Sequence, residues 1–180
     1  MQQTYKLIVA YDGTNYSGWQ SQKHCQAVSN CIESVFLKVL HKKVKVIGAS
    51  RTDAGVHALG QVVKVNLDLD LEPEKLKNII NNKLPQDILI RKVEKVSDQF
   101  HPQANVESKT YYYHFFVNRP LPVVSRYGYY FYKPIDFDKL QDCLSVFIGT
   151  HDFKAFSTEE ERENTIRTVD SIKIYYFKRL

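Results

Sequence analysis

Val44-Lys45-Val46-Ile47-Gly48-Ala49-Ser50-Arg51-Thr52-Asp53-Ala54-Gly55-Val56-His57 is a β-branched run that opens into a tight loop. The run predicts a strand over Val44 to Ala49, and Gln61 to Leu67 predicts a second strand on the far side of the loop. Upstream, Tyr5 to Tyr11 is an apolar strand candidate stopped by the turn Asp12-Gly13. Val28, Ile32, Val35, Phe36 and Val39 then recur at helical spacing, from about Ala27 to His41. Downstream, Pro73 suits a helix start, Leu76, Ile79, Ile80 and Leu84 share one face, and Pro85 stops the helix. Ile88 to Val96 supplies a closing strand. The resulting β-α-β-β-α-β series is the ferredoxin-like, or split βαβ, pattern, which RNA-recognition modules also use.

A second half begins the same way. Thr110 to Asn118 and Tyr127 to Tyr132 read as strands, Asp136 as the cap of a helix carrying Leu140, Leu144 and Phe147, and Thr168 to Lys178 as a further strand. Nothing follows to pair with or cover that last strand, and an apolar edge is a liability that complete domains manage. The expected architecture is therefore α+β. Two ferredoxin-like halves, residues 1–105 and 106–180, share a mixed, mostly antiparallel sheet with helices on one face, the second half lacking its last strand and helix. No linker separates the halves, and the acidic run Glu159 to Glu163 reads as a solvated loop.

Composition bounds the function. The chain has 180 residues, 43% hydrophobic and 25% charged, as in an ordinary globular protein. No apolar run approaches the roughly 20 residues that span a bilayer, and Met1 to Tyr5 carries no signal-peptide pattern. Cys25, Cys31 and Cys143 are odd in number and lack metal-site spacing, which predicts a reducing cytoplasm without structural disulfide or zinc. The net charge of +5 is compatible with a polyanionic partner such as RNA. Twelve tyrosines and ten phenylalanines mostly suit strand packing, with a minority available to stack on bases.

The loop carries the chemistry. Residues two apart on an extended chain share a face, so Arg51 and Asp53 present a cation and a carboxylate side by side with Thr52 turned away. A neighbouring guanidinium keeps an aspartate ionised, which suits a nucleophile or an electrostatic stabiliser. Ala54 and Gly55 let another backbone or a flat ligand approach. On spacing alone, an Asp-Gly turn with a surface ion pair explains the same residues and is the preferred reading.

An ordered set of motifs reverses that preference. Arg51 to His57, continued by Ala58-Leu59-Gly60-Gln61-Val62-Val63, resembles the catalytic motif of the TruA family of tRNA pseudouridine synthases. Tyr11-Asp12-Gly13-Thr14-Asn15-Tyr16-Ser17-Gly18-Trp19-Gln20 is similar to that family's N-terminal signature. Asn81 to Ile88, Phe100-His101-Pro102, Lys109-Thr110-Tyr111, Asp152 to Ser157 and Arg167-Thr168-Val169 follow in the family's order. The resemblance runs from Tyr5 to about Ile174. It implies the pseudouridine synthase fold, no cofactor or metal, a homodimer, and action on uridines 38–40 of the tRNA anticodon stem-loop. It also implies that Asp53 is the nucleophile, that Arg51 takes the space of the extruded base and pairs with the aspartate, and that Tyr111 stacks on the target base. Asp12, Thr52 and His57 join Tyr111 as candidate substrate-binding residues, against a plain turn at Asp12 and a fold-supporting role for His57. Trp19 is expected in the core. Lys42, Lys43 and Lys45 are candidate phosphate contacts, against a solvated basic edge.

Departures bear on the same reading. Ser50 stands where the family commonly has glycine, Gln103 where it often has arginine, and Glu107 and the acidic run subtract positive charge. The family continues beyond this length with a second basic active-site residue and an apolar wall. The leading expectation is a tRNA pseudouridine synthase, and the alternative a truncated, noncatalytic RNA-binding remnant. Asp12-Gly13-Thr14 also raises a phosphotransferase-type reading, but no Walker sequence or further acidic ligands accompany it.

Overall fold

Side chains along strand β1 (Gln3–Tyr11) alternate between two environments: Tyr5, Leu7, Val9 and Tyr11 are buried, whereas Lys6, Ile8 and Ala10 are half-buried. The computed structural model describes residues 2–20, 26–104, 106–157 and 164–177. After β1 come helix α1 (Val28–Leu40), strands β2 (Ile47–Gly48) and β3 (Ala58–Leu67), helix α2 (Pro73–Asn81) and strand β4 (Ile88–Val96). The strands form one sheet in the order β2-β3-β1-β4, every neighbouring pair antiparallel. The protein is thus a mixed α+β structure built on an antiparallel sheet. Val28, Ile32, Val35 and Phe36 of α1, with Leu76 and Ile80 of α2, enter one apolar cluster with alternate residues of β1, β3 and β4. Trp19 lies in that cluster, as expected.

Two irregularities in the ladders keep the alternation in phase with the core. Val9 pairs with Ile90 but Ile8 with Lys92, so Arg91 is an extra residue in β4. The bulge flips the parity, and Ile88, Ile90 and Val93 all reach the same apolar side despite their mixed spacing. A second bulge falls in β3, where Val9 pairs with Gln61 but Tyr11 with Ala58. The Arg91 guanidinium donates to the Leu59 carbonyl inside that second bulge, at 2.7 Å. A kink in each of the two strands that flank β1 is thereby tied across it.

Helix ends follow the local chemistry. Pro73 opens α2, where the Glu72 carboxylate accepts from the Lys75 amide at 3.0 Å. α1 ends at His41, which takes the left-handed conformation at φ 54° that closes many helices. The strand expected over Val44 to Ala49 shrinks to Ile47–Gly48. Val44 and Val46 are buried, but the Val46 amide donates to the Glu33 carboxylate of α1 at 3.0 Å instead of to a ladder partner. The neighbouring strand is longer than expected, beginning at Ala58 instead of Gln61.

The chain divides into two compact units, Met1–Tyr111 and Tyr112–Leu180. The second contains β5 (Phe115–Phe116), β6 (Tyr129–Tyr130), α3 (Phe137–Ser145), β7 (Gly149–Asp152) and β8 (Ile166–Val169). β5 and β6 pair in parallel, and β7 and β8 antiparallel. The strands expected over Thr110 to Asn118, Tyr127 to Tyr132 and Thr168 to Lys178 are therefore mostly not formed. Tyr111, Tyr112 and Tyr113 are exposed, and residues 171–177 carry no ladder, because β propensity needs a neighbouring strand to be expressed. β7 was not expected at all. Asp136 does cap α3, accepting from the Lys139 amide at 3.1 Å. None of the described residues from 112 to 177 is buried. The acidic run, Cys25 and Lys178 lie outside the described residues.

Candidate active site

Ser50 to His57 leave β2 and return as β3, so the loop hangs at one end of the sheet beside the end of β1. Its tip is a turn in which the Val56 amide donates to the Asp53 carbonyl at 3.2 Å, with Gly55 at φ +77° in the third position. That is the type II geometry, which calls for glycine there. Around the turn, Arg51 and Asp53 are exposed and Thr52 is half-buried, the alternation that extended backbone imposes. Among the described residues no ion pair of 4.0 Å or less joins Arg51 to Asp53, although both lie on the open side.

The segment Tyr11 to Trp19 cradles this loop. The Trp19 amide donates to the Thr52 carbonyl at 3.1 Å, and the Gly55 amide donates to the Tyr16 carbonyl at 3.1 Å. The Tyr11 and Thr52 hydroxyls lie 2.8 Å apart. At the far end of the loop, His57 Nδ1 is 3.0 Å from the Gly13 amide and 2.9 Å from Asp12 Oδ1. Unprotonated, that nitrogen accepts from Gly13; protonated, it donates to Asp12. Asp12 Oδ1 also accepts from the Thr14 amide at 3.0 Å and the Thr14 hydroxyl at 2.6 Å, forming an Asx turn. Two glycines let the backbones meet. A Cβ on Gly13 would strike the Val56 carbonyl, and one on Gly18, itself at φ +89°, would strike the Thr52 carbonyl.

Other segments brace the cradle. The Tyr16 hydroxyl donates to Asp87 Oδ1 at 2.6 Å, and the Asp12 amide to the Asp87 carbonyl at 2.9 Å. Burial first, and the Asp87 carboxylate second, push the Tyr16 phenol well above its ordinary range. The Gln61 amide reaches the Ser50 carbonyl, and the Gln103 amide donates to the Gly48 carbonyl at 3.0 Å. Gln103, which departs from the family pattern, thus serves the strand that feeds the loop.

The expected residues fall into two groups. Arg51 and Asp53 face solvent, while Asp12, Thr52 and His57 are engaged in hydrogen bonds that hold the loop. Tyr111 closes the first unit, 70% exposed, and among the described residues no hydrogen bond or ring contact joins it to the loop. Lys42 pairs with Asp68 at 3.4 Å, and Lys43 and Lys45 are exposed. Sequence reasoning did not find Tyr11, Gly13, Gly18, Tyr16 and Asp87 as parts of the site. The signal was the glycine spacing in Asp12-Gly13…Gly18-Trp19, which a plain turn does not need. Among the described residues no group of three or more His, Cys, Asp or Glu converges as metal ligands. No helix there is long and apolar enough to cross a membrane.

A sequence model of the tRNA pseudouridine synthases matches residues 7–103, a span that contains the loop and its whole cradle. A tRNA pseudouridine synthase A of Thermodesulfovibrio yellowstonii is 40% identical over 176 residues, covering 97% of this chain and 69% of that relative. One of Streptococcus uberis is 40% identical over 175 residues, covering 96% and 70%. One of Pseudothermotoga lettingae is 36% identical over 172 residues, covering 94% and 70%. With the model spanning more than half of the chain and these relatives nearly all of it, the chain belongs to the tRNA pseudouridine synthase family.

Proposed function

We propose that this protein isomerises uridine to pseudouridine at positions 38–40 of the tRNA anticodon stem-loop, with Asp53 as the nucleophile. The carboxylate bonds to the ribose C1′ as the glycosidic bond to N1 breaks, the uracil turns, and its C5 then bonds to C1′ and displaces the carboxylate, which frees Asp53. The C5 proton leaves and N1 gains one, so the reaction is balanced without oxidant or reductant. Arg51 fills the space of the extruded base, and Tyr111 stacks on the base in the pocket. Extrusion costs a few kcal/mol of unstacking, which an inserted cation and a stacking ring offset. The enzyme works as a homodimer in the cytoplasm. Its halves, residues 1–105 and 106–180, are ferredoxin-like, a reading supported in the first by the order β2-β3-β1-β4.

The observation that carries the proposal is the loop's geometry. Among the described residues the hydrogen bonds from the loop to the cradle fall on Thr52, Gly55 and His57, and the Arg51 and Asp53 side chains are exposed. The test uses tRNA transcripts labelled with tritium at C5 of uridine. The protein should release tritium, and Asp53→Asn should lower release by at least about a thousandfold. Undiminished release from Asp53→Asn would remove the nucleophile assignment, and tRNA binding without release by the parent protein would remove the catalytic one.

A further inference from the structure

We propose that Tyr11 is a positioning residue for Asp53, acting through the hydroxyl of Thr52. The inference rests on the reading of Asp53 as nucleophile. Tyr11 is the last residue of β1, its ring buried at 4% exposure with its centroid 5.9 Å from that of Trp19. A buried phenol needs a hydrogen-bond partner, and this one finds it in the middle residue of Arg51-Thr52-Asp53, at 2.8 Å. Either hydroxyl can donate. Burial raises the Tyr11 phenol above its ordinary range, outweighing the opposing effect of the Thr52 contact, so it stays protonated across the neutral range. The Thr52 carbonyl is held as well, by the Trp19 amide. Thr52 is therefore tied by side chain and backbone to the rigid end of the sheet and the segment leaving it.

Such a tie has a consequence for chemistry. Asp53 is exposed, and among the described residues no hydrogen bond or ion pair to its carboxylate fixes its direction. Its aim must come from the backbone on either side: the turn at Gly55 on one flank and Thr52 on the other. A displacement of about 1 Å at a reacting group can cost on the order of a hundredfold in rate. Loss of one hydroxyl from the anchor shifts the aspartate without removing it.

The experiment is a double-mutant cycle on the full chain: Tyr11→Phe, Thr52→Val and both together, with Thr52→Ser as the conservative variant. Tritium release from labelled tRNA gives kcat and KM, and urea unfolding gives the folded fraction. Each single variant should lower kcat about tenfold with KM changed less than about twofold and more than 95% of the protein folded. Because the two groups form one contact, the double variant should lose about tenfold, not a hundredfold. Thr52→Ser should retain most of the activity. Unchanged kcat in either single variant would overturn the proposal, as would losses that multiply in the double variant. A loss of activity matched by a loss of folded protein would overturn it too. If Asp53→Asn is inactive while Tyr11→Phe is unaffected, the positioning role alone falls; if Asp53→Asn stays active, the nucleophile reading falls with it.

Discussion

Gly18 shows how a position far from the chemistry in sequence is bound to it in space. Its φ of +89° is one that L side chains adopt only at a cost, and the space its Cβ would fill is occupied by the Thr52 carbonyl. Gly18→Ala therefore carries a conformational penalty and a collision with backbone, which cannot swing away as a side-chain tip can. The expected destabilisation is about 2–3 kcal/mol, read as a lower urea midpoint with the unfolding slope unchanged. A midpoint equal to the parent's would show that the two backbones do not meet there. At this scale the sequence was only half legible. Arg51 and Asp53 declare themselves because their chemistry lies in their side chains. The cradle works largely through backbone amides and carbonyls of Gly13, Tyr16, Trp19 and Thr52, which leave no mark in the sequence except the glycines that make room for them.

At the scale of the element, the long periodic segments were read correctly: β4 spans Ile88–Val96 and α1 Val28–Leu40. Val44 to Val46 and most of the tyrosine-rich strands expected after residue 110 were not, because strand propensity does not say whether a partner is present. Glu33 takes the Val46 amide, and Tyr111 to Tyr113 find no ladder. The bulge at Arg91 was hidden for a similar reason, since one extra residue alters the pattern no more than ordinary scatter. The open face of the sheet also has a charge pattern that pairing alone reveals. Lys6 stands between Lys64 on β3 and Glu94 on β4, a like-charged and an opposite-charged neighbour. Glu94 answers two cations, Lys6 at 2.8 Å and Lys92 at 2.6 Å, while Lys64 turns to the Asp98 carbonyl. Hydrogen bonds from Lys6 and then Lys92 hold the Glu94 carboxyl down at about 2, from an ordinary 4.5. A depressed folded-state pKa means that the unfolded chain binds the proton first as pH falls. The contribution of Glu94 to stability should therefore be complete above pH 4.5 and fade as pH falls towards 2. Glu94 is one-third exposed, so the effect belongs in the roughly 0.2–1 kcal/mol range of solvated pairs. Urea midpoints of the parent and Glu94→Gln should differ at pH 6 and draw together as pH falls towards 2. A gap that is constant across that range would assign the effect to packing instead of charge.

For the whole molecule, the net charge of +5 is modest and its distribution matters more than its total. Lys6, Lys64, Arg91 and Lys92 gather on the face of the first unit's sheet opposite its helices, and Lys42, Lys43 and Lys45 on the stretch before β2. Several of these cations are partly spent within the protein: Lys6 and Lys92 on Glu94, Lys42 on Asp68, Arg91 on the Leu59 carbonyl. The exposed Lys43, Lys45 and Arg51 are not engaged in any described ion pair. A polyanion that docks here must draw on the free cations first and compete for the paired ones. Binding of tRNA should then release counterions and weaken as salt rises, with log K falling by about 0.7–0.9 per phosphate neutralised for each decade of salt. Docking that neutralises about four phosphates loses on the order of a hundredfold in affinity between 50 and 200 mM salt. Filter-binding or fluorescence titrations of the protein with unmodified tRNA at four salt concentrations give the slope directly. Lys43→Ala and Lys45→Ala together should flatten that slope by about one to two contacts if this edge meets phosphate, and leave it unchanged if the edge is merely solvated. A salt-independent affinity would mean that tRNA is held by stacking and shape alone, and would count against a docking mode built on the basic surface.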